Sequence, residues 1–296
     1  MKVALCFLIS YKHVVNKENI WRKWIEPNKD ITNIYFHYKD LDKIQSPWIK
    51  KHCIPRENIV ETSYYHVVGA YISLLKHAYR HDNCENKWFI FLTDSCVPIV
   101  SPEKFRKIFF EYFDKTIMKW QQCWWNINYH RRANLRLFPE SLRLGHDPWF
   151  IICREDVKLV FDYLVYCNKE FNVICSGGLA NESIFAMILK MKKTLEKVVN
   201  KSVNLTNWEK MSSPTSPYVF KYGSCEEIEY IKDNLEKNEL LMFLRKVDIS
   251  FPDDILSDII SKNNYLTEIK KDKSIIIFVL LIIFLFFIYF FVKILN

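Results

Sequence analysis

The chain has 296 residues, half of them hydrophobic and 16% aromatic, with a formal net charge of +8. That length supports one large domain or two small ones around a substantial core. Five glycines in all, none in a GxGxxG or GxxxxGK(S/T) arrangement, exclude the dinucleotide fingerprint and the P-loop. The basic residues are spread rather than blocked and no nucleic-acid module is recognisable, so the charge reads as a solvated basic surface, with an anionic substrate or membrane surface left open.

In chain order, the apolar run at residues 3–9 predicts a first buried strand. It is too short for a signal peptide, and Ser-Tyr-Lys-His follows it with no small-residue cleavage site. Further strands are predicted at residues 34–37, 88–92, 150–153 and 218–220, and helices at 67–79, 102–113, 154–165 and 181–191. The helix at 102 has a full start signal: Ser101 to cap it, Pro102 at the first position and Glu103 next. Strands alternating with helices predict an α/β sheet. Residues 192–207, rich in Lys and Asn, read as a surface connection, 212–217 (SSPTSP) as a loop, and 226–270 as a charged helical connector.

Residues 275–292 (IIIFVLLIIFLFFIYFFV) are uncharged and apolar all round. About 20 such residues span a hydrocarbon core of about 30 Å. Lys270, Lys271 and Lys273 precede the run and Lys293 follows it, which predicts a C-terminal anchor in the lipid bilayer with the globular part facing the cytosol. The expected organisation is a domain over 1–250, a connector over 251–273 and a transmembrane helix over 274–293.

Nine cysteines, an odd number with no CxxC, suit free thiols in a reducing compartment better than a disulfide framework. Cys6 and Cys153 sit inside apolar runs, where a thiol packs as a small hydrophobe. His77, His81 and Cys84 have metal-like spacing but fall at the end of a predicted amphipathic helix, so the reading is an exposed helix end. Trp120, Trp124, Trp125 and Tyr129 form an aromatic cluster that is either core or a surface for stacking on sugar rings.

Three segments join an apolar run to a polar cluster, as α/β enzymes do where core elements deliver side chains to a cleft. They are FIFLTDSCVPI (89–99), GHDPWFIICRE (145–155) and GGLANESIFAMIL (177–189). With the strand at 3–9, the stretch IYFHYKD (34–40), the segment IVETSYYHVVGA (59–70) and the late motif LMFLRK (241–246), their order over residues 1–250 resembles the core-2/I-branching β-1,6-N-acetylglucosaminyltransferase family. Plant relatives carry a similar Ser-Glu-Ser-Cys-Ile-Pro at the position of the first segment.

That resemblance implies a GT-A-like fold and an inverting, metal-independent transfer from a UDP sugar, most simply UDP-N-acetylglucosamine, to a glycan or glycoprotein hydroxyl, with no cofactor. Glu182 matches the family's general base, beginning a helix after a Gly-Gly turn; a helix-start acid that merely complements the dipole is the structural alternative. Lys246, with Arg245 beside it, matches a cation that stabilises the departing diphosphate, and Lys221 is a candidate for a second. His37 and Asp40 fall in a nucleotide-contact stretch. Asp94, Ser95, Trp149 and Arg154 fall where the family lines its cleft, and Trp208 near its acceptor.

Three features depart from the family pattern. The Asp that precedes the base is Asn181 here. The usual metal-binding Asp-x-Asp position reads Thr93-Asp94-Ser95, and the one literal Asp-x-Asp, at Asp40 and Asp42, comes early in the chain and leaves a divalent ion as an alternative. Animal members are anchored at the N-terminus in the Golgi lumen. A transferase for UDP-xylose or UDP-glucose, and a scaffold that has kept the fold without turnover, stay open.

Overall fold

The computed structural model of the protein describes residues 1–81, 83 and 85–262. In chain order they form β1 (Lys2–Leu8), α1 (Glu18–Ile25), β2 (Thr32–His37), α2 (Pro47–Lys51), α3 (Val68–His81), β3 (Asn86–Thr93), β4 (Val97–Pro98), α4 (Pro102–Tyr112) and β5 (Trp120–Gln122). There follow β6 (Leu144–His146), β7 (Ile151–Cys153), α5 (Arg154–Tyr166), α6 (Asn168–Ser176), α7 (Ile184–Met191), β8 (Asn204–Thr206), α8 (Cys225–Lys237) and β9 (Phe243–Arg245). Cys84 and the apolar run at 275–292 lie outside the described residues; among those described, no helix is long and apolar enough to cross a membrane.

Strand alternation builds two cores. The main sheet runs β2-β1-β3-β7, with β1 parallel to β2 and β3, and β7 antiparallel to β3. Successive strand side chains face opposite ways. Val3, Leu5 and Phe7 therefore join Trp88, Ile90 and Leu92 on one face, where Trp21 and Trp24 of α1 and Phe105 and Phe109 of α4 cover them. Ala4 and Cys6 join Phe89 and Phe91 on the other, under α3, α5 and α7. Both faces being covered explains why these strands read as near-continuous apolar runs. The indoles of Trp21 and Trp24 donate to the carbonyls of Cys96 at 2.9 Å and Val100 at 2.7 Å, so two large rings are buried without an orphaned N–H. The α/β expectation holds, and the fold suits a GT-A-like transferase.

Ser101 caps α4 by accepting from the Lys104 N–H. Cys6 and Cys153 are buried free thiols, packed as the sequence predicts.

Other expectations need correcting. Residues 192–207 are not merely a surface connection and 226–270 is not continuously helical, because β8 and β9 pair in a second sheet of order β4-β9-β8. Strands this short carry too few alternating positions to register as a period. Residues 218–220 make a single bridge, between Phe220 and Val247, rather than a strand. The helix predicted from 181 starts at Ile184, after a 3-10 turn at Ala180–Glu182. Packing also continues past residue 250: Phe251, Leu256 and Ile259 lie in the first core, and buried Lys17 holds this segment through the Ile249 carbonyl at 2.7 Å and the Asp253 carboxylate at 2.8 Å.

Candidate functional site

The parallel strands end together, and loops leaving their carboxyl ends form one rim of a cleft, the usual place for a ligand in an open α/β sheet. Asp94, just past β3, is buried; one carboxylate oxygen accepts from the Ser10 N–H at 3.0 Å and its carbonyl from the Asn16 N–H at 2.8 Å. Asp94 thereby ties the loop after β1 to the loop after β3. Ser95 lies beside it, with its hydroxyl 3.2 Å from that of Thr93 and its carbonyl accepting from Val247 N–H at 2.9 Å. That last bond locks the backbone on the far side of Lys246 against this rim.

Glu182 stands opposite on the 3-10 turn, facing Arg132, whose Nη1 lies 3.3 Å from the carboxylate. The approach depends on glycine. A Cβ at Gly177 would stand 2.4 Å from the backbone nitrogen of Asn134 and 2.7 Å from the carbonyl of Arg131, so only glycine lets the 131–134 segment lie against this turn. The Ala133 N–H then donates to the Gly178 carbonyl at 3.0 Å, which presents Arg132 to Glu182. A second glycine seats the guanidinium: Gly145 leaves room for Trp124 and Trp125, and Arg132 lies over the Trp125 ring at 4.9 Å. Burial raises the Glu182 pKa, Arg132 and then Arg245 pull it back, and Asp147 adds to the rise. The result is a partly buried carboxyl, 21% exposed, kept above the ordinary carboxylate range and faced by two cations.

Arg245 ends β9 opposite Thr206 and lies over the Trp149 ring at 5.0 Å, while Trp149 stacks on Tyr71 at 6.0 Å. Trp149, Arg245 and Trp208 line one cavity of about 330 Å³, with Asp147 and Ser202 on its wall. Arg245 Nε and Trp149 Nε1 on the wall of this cavity, and Asn181 Oδ1, are among the buried polar atoms without a protein partner, groups that a bound ligand could satisfy. Lys246 donates to Ser216 Oγ at 3.0 Å. Burial lowers its pKa to about 8, with Arg245 adding to the fall and Asp94 opposing it, because a desolvated site and an adjacent cation both disfavour the ammonium.

Other predicted residues lie apart from this group. Arg154 is buried, with its guanidinium 3.2 Å from the Asn86 carbonyl, 3.1 Å from that of Tyr79, and 3.7 Å over the Tyr79 ring. Antiparallel β7 carries it to the start of β3, away from the end that bears Asp94. Asp40 is half-buried, accepting from Asp42 N–H at 3.1 Å and pairing with Lys43 at 3.4 Å. Among the described residues no cluster of three or more His, Cys, Asp or Glu could hold a metal ion. His37 lies on the rim but is buried, and its Nε2 accepts from Val60 N–H at 3.2 Å. Burial, then Lys39, push its pKa down to about 4, so it is neutral. Lys221 is exposed; its N–H donates to Glu227.

The family model for the Core-2/I-Branching enzyme matches residues 5–232. The chain belongs to that family. It is therefore a glycosyltransferase, of a family that works with a nucleotide-sugar donor and a glycan acceptor. No curated protein gives a significant match. The family match takes in Asp94, Arg132, Trp149, Glu182 and Trp208 and stops short of Arg245 and Lys246, which the β8–β9 pairing brings back to the cleft.

Sequence reading missed Arg132 and Asp147. Arg132 lies 50 positions from Glu182 in a loop of mixed polarity, and nothing in its local pattern ties it to the Gly-Gly turn. Asp147 lies inside a quoted motif, yet its role depends on burial, Ser202 at 2.6 Å and its influence on Glu182. The aromatic cluster divides: Trp120 and Trp125 pack against the second core, whereas Trp124 is 56% exposed and Tyr129 81%.

Proposed function

We propose that the protein is an inverting transferase that moves a sugar from a UDP donor, N-acetylglucosamine by preference, to a glycan or glycoprotein hydroxyl. Glu182 takes the proton of the acceptor hydroxyl as its oxygen attacks the anomeric carbon. The bond from that carbon to the diphosphate breaks, and the departing oxygen's charge falls to Lys246 and Arg245. The observation that carries this reading is Glu182 itself: a carboxyl raised by burial, held by Arg132 and coupled to Arg245, which lines the adjacent cavity. A raised but cation-moderated carboxyl is suited to accept a proton near neutral pH.

Two adjacent cations can do for a leaving diphosphate what a divalent ion does elsewhere, which supports a metal-independent step. The cavity between Trp149 and Trp208 supports acceptor binding, since aromatic faces pack against the apolar faces of sugar rings. The apolar run at 275–292 supports attachment to a bilayer by a C-terminal anchor with the catalytic body in the cytosol; protection from added protease in intact vesicles would refute that orientation.

The reaction is tested by UDP release from the full chain with a panel of UDP sugars, with EDTA present, followed by NMR of the anomeric configuration of the product. Release from one donor that survives EDTA and gives an inverted linkage supports the reading. A retained configuration, or activity that needs a divalent ion, contradicts it.

A further inference from the structure

A cavity larger than the one beside Arg245, about 590 Å³, lies on α3 and is lined by none of the residues assigned above to the cleft. Four basic side chains of one helix line it: Lys76, His77, Arg80 and His81. Their spacing is i, i+1, i+4 and i+5, so they form two adjacent rows one turn apart, a compact patch on one face. Lys76 and Arg80 are exposed, and neither makes an ion pair among the described residues.

The histidine rings stack with centroids 5.3 Å apart and planes 18° apart. Asn58 Nδ2 lies 3.4 Å from His77 Nδ1; this makes Nδ1 the acceptor and leaves the ring proton on Nε2, a further donor. Glu57 is the single acid among the cavity-lining residues. Like charges one helical turn apart repel, and among the described residues neither Lys76 nor Arg80 has an ion-pair partner to offset this. Leu164 and Phe171, from the far wall, give the cavity an apolar side.

We propose that this cavity is a second binding site, separate from the transfer cleft, for a small anion of the phosphate or sulfate class carried on an apolar or ring-bearing group. Lys76 and Arg80 hold the anion, His77 Nε2–H donates to it, and Leu164 and Phe171 pack against the attached group. A phosphorylated small molecule and a lipid headgroup present the same chemistry here.

The test is equilibrium binding of inorganic phosphate and of phenyl phosphate to the detergent-solubilised full chain, with saturating UDP present to occupy the transfer cleft. Saturable binding is expected for both, tighter for phenyl phosphate. It should weaken about tenfold or more, the loss of charge-assisted hydrogen bonds, in the Lys76→Gln/Arg80→Gln variant. It should persist in Lys76→Arg, which keeps the charge, and in Lys246→Ala, which changes only the cleft. Vesicles with and without a phosphomonoester lipid then distinguish a headgroup from a free ligand. Binding that is non-saturable, displaced by UDP, or unchanged in the double variant overturns the proposal.

Discussion

Arg132 and Glu182 are 50 positions apart in sequence and 3.3 Å apart in the fold. The guanidinium is itself seated on Trp125, so its position is fixed from both sides. It opposes burial at the carboxyl: burial raises the Glu182 pKa and Arg132 is the largest influence lowering it. Arg132 is thus a positioning residue that also sets the pH at which the base becomes available.

Replacing Arg132 with Met removes that opposition. The Glu182 pKa then rises further, and a base works only when deprotonated. The acid limb of the kcat/KM profile should move to higher pH, with the rate at pH 6 falling more than the rate at pH 8. Equal loss at every pH would mean that Arg132 acts only through acceptor contacts or folding.

Burial and then Arg245 lower the Lys246 pKa to about 8, and a diphosphate needs its ammonium form. Donor KM should therefore rise as pH passes through 8 and above. Lys246→Arg keeps the charge and should flatten that rise, whereas Lys246→Ala should raise donor KM at every pH by roughly tenfold or more. Initial rates at varied donor concentration between pH 7 and 9.5 measure both effects.

The two glycines before the base differ sharply in their room. A Cβ at Gly177 would meet backbone at 2.4 Å, while one at Gly178 would meet the Tyr65 side chain at 3.6 Å, an ordinary contact. Gly177→Ala should cost about 1–3 kcal/mol of stability and reduce transfer by displacing Arg132. Gly178→Ala should leave both nearly unchanged. Thermal unfolding and UDP release on the two variants make the comparison.

Arg154→Met separates structure from site. Losing two charge-assisted bonds to buried carbonyls should lower stability by about 2 kcal/mol or more. The transfer rate at a permissive temperature should not change, because the guanidinium serves the start of β3 rather than the cleft. A large fall in kcat with an unchanged Tm would return Arg154 to the site.

The sheet and its covering helices were legible because long apolar runs such as FIFL and the helical periods around α3, α4 and α5 carry strong signals. Motif order brought Glu182, Trp149, Trp208, Arg245 and Lys246 to notice, and three of them line one cavity. The second sheet was hidden: β8 and β9 have three residues each, and β9 follows a charged helix whose character masks it. Arg132 was hidden for another reason. Its approach to Glu182 rests on a missing Cβ at Gly177, a close backbone contact that sequence spacing does not encode. Arg154 was misplaced because a motif gives residue order and not strand direction; antiparallel β7 turns it away.

Glu182→Gln tests the central claim most directly. The carboxyl's folded pKa is raised, so above the ordinary carboxylate range its charge costs stability; a neutral amide of the same shape removes that cost and can still accept from Arg132. UDP release by wild type and variant at pH 7.5, with EDTA present and Tm measured on both, should show an unchanged or higher Tm and a loss of turnover of about a hundredfold or more. Turnover within a few-fold of wild type, in a variant that is fully folded, would contradict the assignment of Glu182 as the base.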